Sequence, residues 1–70
     1  MPRFSPERLR DARDRARLTR EQLALATGRS TQTVDLWERG KVQPPERIVG
    51  LIAAALDVDV DELHDASVPA

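Results

Sequence analysis

Two short amphipathic segments with almost nothing between them constrain this chain more than any other feature. Thr19-Arg-Glu-Gln22 has the spacing of a capping box, so a helix is expected to start at Thr19. Leu23, Ala24 and Thr27 mark its inward side, and Gly28 is suited to end it in the left-handed conformation. Ser30 then caps a second segment that runs to about Arg39, and Gly40 stops it. The connection is Gly28-Arg29-Ser30, three residues long. So tight a turn makes the helices cross steeply, and they can approach closely only over a small side chain; Ala24 lies where that contact falls. The second segment has only a thin apolar stripe, Val34 and Trp37. Its other side bears Thr31, Gln32, Thr33, Asp35 and Leu36, and is expected to stay exposed.

Helices are expected on both sides of this pair. Ser5 caps a first helix, with Pro6 in the first helical position, where its missing N–H costs nothing. Leu9, Ala12, Arg13 and Ala16 follow at three- and four-residue steps and form the expected inward face, and Leu18 closes the segment. Lys41-Val42-Gln43-Pro44-Pro45 reads as a loop, with Pro45 able to open a fourth helix. Ile48, Leu51, Ile52, Ala55 and Leu56 give that helix the densest apolar stripe in the chain. Asp59 is read as the cap of a short last helix through Leu63. No segment alternates with period two long enough for a strand; Val58 and Val60 flank that cap. With aromatics at 3%, the core must be aliphatic, which suits packed helices. Seventy residues allow one domain, expected over 1–64, with a loose tail over 65–70.

Composition removes several classes of function. There is no cysteine, hence no disulfide or thiolate metal site. No apolar run approaches a membrane span, and MPRFSPERLR lacks the apolar stretch of a signal peptide, so a soluble, cytoplasmic protein is expected. His64 is the single histidine and reads as a surface residue. Asp57, Asp59, Asp61, Glu62 and Asp65 lack EF-hand spacing and read as caps and a solvated face. No enzyme, cofactor or metal is expected. The net charge of −1 hides an asymmetry: residues 1–41 carry ten Lys/Arg and six Asp/Glu, whereas residues 42–70 carry one and six. The basic part would favour a polyanion, although a solvated surface with ordinary scatter accounts for the split equally well.

The steep pair with an exposed second helix has the layout of a helix-turn-helix, whose second helix lies in the DNA major groove. The stretch LTREQLALATGRSTQTVDLWERGKVQP, residues 18–44, resembles the phage-repressor or Cro-type (XRE-like) helix-turn-helix family. The matching features are Leu23-Ala24, Gly28, Ser30, Val34, and Glu38-Arg39-Gly40 followed by a proline. AAALDVDVDEL, residues 53–63, is similar to that family's junction between helices four and five. The resemblance spans about residues 7–64.

The resemblance implies a compact all-α, five-helix bundle (lambda-repressor-like) that binds double-stranded DNA, usually as a dimer, and regulates transcription. It also implies that Thr31, Gln32 and Thr33, with Asp35 and Leu36 one turn on, read bases. The chemistry suits that role: glutamine can pair with adenine N6 and N7, and threonine can bond a base or touch a thymine methyl. Asp35 could accept from cytosine N4, pair within the protein, or select against wrong partners. Leu36 could meet a thymine methyl or simply lie on the surface. Arg20 matches a position that contacts the DNA backbone. Ser30 at the start of the reading helix, and Arg39, Lys41 and Gln43 after it, are the other phosphate candidates. Arg13 and Glu38 match positions that form a structural ion pair in some members.

Arg29 departs from the pattern, since the family has an apolar residue there, and Leu25 takes a position that is commonly polar. One small module binds DNA weakly, so a homodimer is expected, with Val60, Leu63 and Val68 as contact candidates. The alternative is a protein-interaction module, antitoxin-like or a co-regulator, that keeps the scaffold and presents the same face to a protein.

Overall fold

In a computed structural model, residues 3–65 of the chain are described. They form four α-helices, α1 (Pro6–Arg15), α2 (Arg20–Thr27), α3 (Thr31–Glu38) and α4 (Glu46–Leu56), followed by one 3₁₀ turn, Val60–Leu63. Among the described residues there is no strand, and no helix is long and apolar enough to cross a membrane.

The helix starts are set by local chemistry. Ser5 Oγ accepts from the Arg8 amide at 3.2 Å, with Pro6 opening α1. At α2 both halves of the capping box are made: Gln22 N–H donates to Thr19 Oγ1 at 3.0 Å, and Thr19 N–H to Gln22 Oε1 at 2.8 Å. Ser30 Oγ accepts from Thr33 N–H at 3.1 Å to start α3. Gly28 and Gly40 end α2 and α3 at φ of 69° and 73°, a region where a Cβ would be strained.

Leu9, Leu23, Val34, Trp37, Ile52 and Leu63 are the largest fully buried side chains. α2 packs against both α3 and α4, and α1 against α3 and the 3₁₀ turn. The core is one largely aliphatic cluster around the Trp37 indole, with the Phe4 ring at its edge.

Several expectations are corrected. The fifth helix is absent as an α-helix: Glu62 N–H bonds Asp59 O at 3.0 Å and His64 N–H bonds Asp61 O at 3.2 Å, both i→i−3 contacts of a tight turn. Asp59 precedes that turn without a side-chain cap. On α4, Val49 and Ala53 are buried, whereas Leu51 is 44% exposed; the helix turns its Ile48–Val49–Ile52–Ala53–Leu56 face inward. Ala16 is exposed because α1 ends before it. Leu63, offered as a dimer contact, is wholly buried in the core. Val68, the other apolar residue offered near the end, lies outside the described residues, as do 66–70 of the expected tail.

The chain ends also make a contact the sequence did not suggest. Phe4 and His64 form an isolated antiparallel bridge, flanked by Ser5 N–H to Leu63 O and Asp65 N–H to Arg3 O, each 2.8 Å. The His64 ring meets the Phe4 ring edge-on at 6.2 Å, and its Nδ1 lies 2.9 Å from Val60 O.

Candidate nucleic-acid interface

α3 is held by its buried side and by its two ends. Val34 and Trp37 are buried in the core, while Thr31 and Gln32 are exposed at the helix start. Thr33, Asp35 and Leu36 are partly exposed. Ala24, 3% exposed, is buried on α2, which packs against α3. Arg29 in the turn is exposed, so its guanidinium replaces an apolar plug without entering the core.

The C-terminal end of α3 is fixed by charge. Glu38 Oε2 accepts from Arg13 Nε at 2.5 Å, and Oε1 accepts from Arg13 Nη2 at 3.3 Å and from Arg20 Nε at 2.9 Å. Arg13 also donates from Nη1 to the Leu18 carbonyl at 2.8 Å. One carboxylate thus joins α1, the start of α2 and the end of α3. Burial pushes the Glu38 carboxyl upward, but the hydrogen bonds from Arg13 and Arg20 outweigh it and hold the group below the usual carboxylate range. The hydrogen bond to Glu38 likewise raises Arg13. No buried side-chain N or O among the described residues lacks a partner, so the triad is fully satisfied.

The other site candidates fall into two groups. Arg39 Nε lies 3.2 Å from Asp35 Oδ2 on the next turn of the same helix, and Ser30 Oγ lies 2.9 Å from Thr33 Oγ1. Thr31, Gln32, Lys41 and Gln43 are exposed and make no side-chain hydrogen bond among the described residues. Sequence reasoning missed that Arg20 shares Glu38, because eighteen residues separate them and only the fold brings them together. The Asp35–Arg39 pair had a signal, the i,i+4 spacing of opposite charges on a helix.

A packed helix pair, a tight turn with a left-handed glycine, and a second helix docked by two side chains with its polar face outward define a helix-turn-helix protein. This is the class of DNA-binding regulator that places one helix in the major groove. The helix-turn-helix domain family model matches residues 7–66, and the chain belongs to that family. The restriction-modification controller protein C.AhdI from Aeromonas hydrophila is 33% identical, with a TM-score of 0.79, over 83% of this chain and 84% of that one. The DNA-binding domain of the P22 C2 repressor shares the fold at a TM-score of 0.81 and 24% identity, over 87% and 80% of the two chains. Hydroxypropylphosphonic acid epoxidase from S. wedmorenis is also similar, with 28% identity and a TM-score of 0.80, but this chain spans only 32% of it. No curated protein matches the chain.

Proposed function

We propose that the chain is a small transcriptional regulator that reads double-stranded DNA by laying α3 in the major groove. The observation that carries this reading is the exposure of Thr31 and Gln32 at the start of a helix whose opposite side is locked by Val34 and Trp37. Gln32 pairs with an adenine, Thr31 and Thr33 contact neighbouring base edges, and Leu36 meets a thymine methyl. Arg20, Ser30, Arg39, Lys41 and Gln43 hold phosphates on either side. Arg13 and Glu38 set the angle at which α3 enters. No catalytic step forms part of this reading.

The functional unit is residues 1–64, and it acts as a two-fold dimer with half-sites about one helical turn apart. Val60, 42% exposed, supports a contact near the chain's C-terminal end. Sedimentation with operator DNA that gives one chain per site refutes the dimer. Leu25, 85% exposed on α2, favours a second reading, in which a protein co-regulator binds this scaffold.

The test is selection from random duplex DNA, repeated with Gln32→Ala. The variant is expected to lose preference at one or two base pairs, at a cost of about 1–3 kcal/mol. Retention of the full sequence preference refutes the assignment of α3 as the reader.

A further inference from the structure

Within Thr31–Trp37 the single ionised side chain is an acid, Asp35. A carboxylate there would face a polyanion if α3 entered a groove, and it brings its own cation: Arg39 Nε at 3.2 Å. Both side chains remain open to water, 37% exposed for Asp35 and 66% for Arg39, so a phosphate can reach the arginine and compete for it. At the neighbouring position Glu38 holds a second cation, Arg20, although that carboxylate is buried. Among the described residues Arg29 and Lys41 make no ion pair. Beside the buried Arg13, two of the four exposed cations Arg20, Arg29, Arg39 and Lys41 are therefore engaged by carboxylates of α3 itself.

We infer that Asp35 is an affinity-setting residue that acts through Arg39, holding it back from the DNA backbone. This rests on the proposed reading of α3 as a DNA-binding helix. A phosphate that takes Arg39 must displace the Asp35 carboxylate or leave it uncompensated beside the duplex. Either way the sequence-independent part of binding is reduced, because that part is carried by neutralised phosphates. The Glu38–Arg20 contact differs in kind: Glu38 is buried and structural, whereas Asp35 can be neutralised without disturbing the core.

The test is Asp35→Asn in the full chain, with Asp35→Ser as a second variant and thermal melts to verify folding. Binding to a short unselected duplex and to the selected duplex is measured across a salt titration. The variant is expected to bind the unselected duplex roughly three- to tenfold more tightly near 0.1 M salt, with a salt slope steeper by about 0.9. In an Arg39→Ala background the steeper slope is expected to vanish. Weakened binding to the selected duplex with the unselected one unchanged overturns the inference, since it makes Asp35 a base reader. So does a gain that persists undiminished without Arg39. If the unmodified protein shows no salt-dependent binding to either duplex, the DNA-reading proposal itself fails first, and this inference with it.

Discussion

Glu38→Gln changes one heavy atom and is expected to remove a third or more of the molecule's stability margin. The glutamine fills the same space, but one carboxylate oxygen becomes an NH2 group. On the Oε2 side that group faces Arg13 Nε; on the Oε1 side it faces Arg20 Nε and Arg13 Nη2. Arg20, whose side chain is 43% exposed, can turn to water. Arg13 cannot, since its side chain is 10% exposed and it is left charged beside a neutral partner. Breaking a buried pair by removing one partner costs about 3–5 kcal/mol. The nearby exposed Asp14 carboxylate, 3.6 Å from Arg13 Nη1, moves the expectation to the lower end, about 3 kcal/mol. A chain of this length has roughly 3.5–10 kcal/mol in total. With an unfolding entropy of about 2 cal/mol/K per residue, that loss lowers the melting temperature by about 20 °C. Urea titration read by Trp37 emission measures it directly, because this single tryptophan is 1% exposed and its emission shifts on unfolding. The double variant Arg13→Met/Glu38→Met removes both charges and is expected to be more stable than Glu38→Gln alone, despite losing the bond to Leu18 O. A loss below about 1 kcal/mol for Glu38→Gln, or a double-variant loss equal to the sum of the Arg13→Met and Glu38→Met losses, refutes the reasoning.

The same carboxylate gives a pH dependence. Its folded pKa lies below the ordinary 4.5, so its stabilising contribution is complete above that value and is lost as pH falls through the lower folded pKa; the urea midpoint should drop in that window, and more shallowly in Glu38→Gln. Arg20→Ala is expected to weaken binding to selected and unselected duplexes by similar factors in a fluorescence titration, and a changed sequence preference would count against a phosphate role. Gly28→Ala meets no atom within 4 Å and should cost only its left-handed backbone, about 1–2 kcal/mol by thermal melt. Leu63→Ala should cost about 2–5 kcal/mol by urea titration, as expected for a wholly buried core leucine.

Much of the fold was legible because it is encoded locally. Ser5, Thr19 with Gln22, and Ser30 each mark a helix start by a hydrogen bond to an amide three residues away or its reciprocal, which depends on no distant contact. Gly28 and Gly40 mark ends for the same reason. What escaped was set by tertiary placement. The rotation of α4 that buries Val49 and exposes Leu51 depends on where α2 lies against it, since an almost wholly apolar helix has two plausible inward faces. The last helix tightened to a 3₁₀ turn because Leu63 must reach the core within a few residues of α4's end. In the candidate site, the exposure of Thr31 and Gln32 followed from the thin Val34–Trp37 stripe. The recruitment of Arg20 by Glu38 did not, because nothing in the spacing of the two residues announces it.

The clasp between the chain ends has a mechanical consequence. Arg3 faces Asp65 at its outer edge and Ser5 faces Leu63 at its inner edge, so tension applied through the two ends opens it as a zipper, one hydrogen bond after the other. Releasing Ser5 then loosens the residue that caps α1, and the first helix frays from the same corner. Pulled in this direction, the clasp is expected to open before the helices lose their packing.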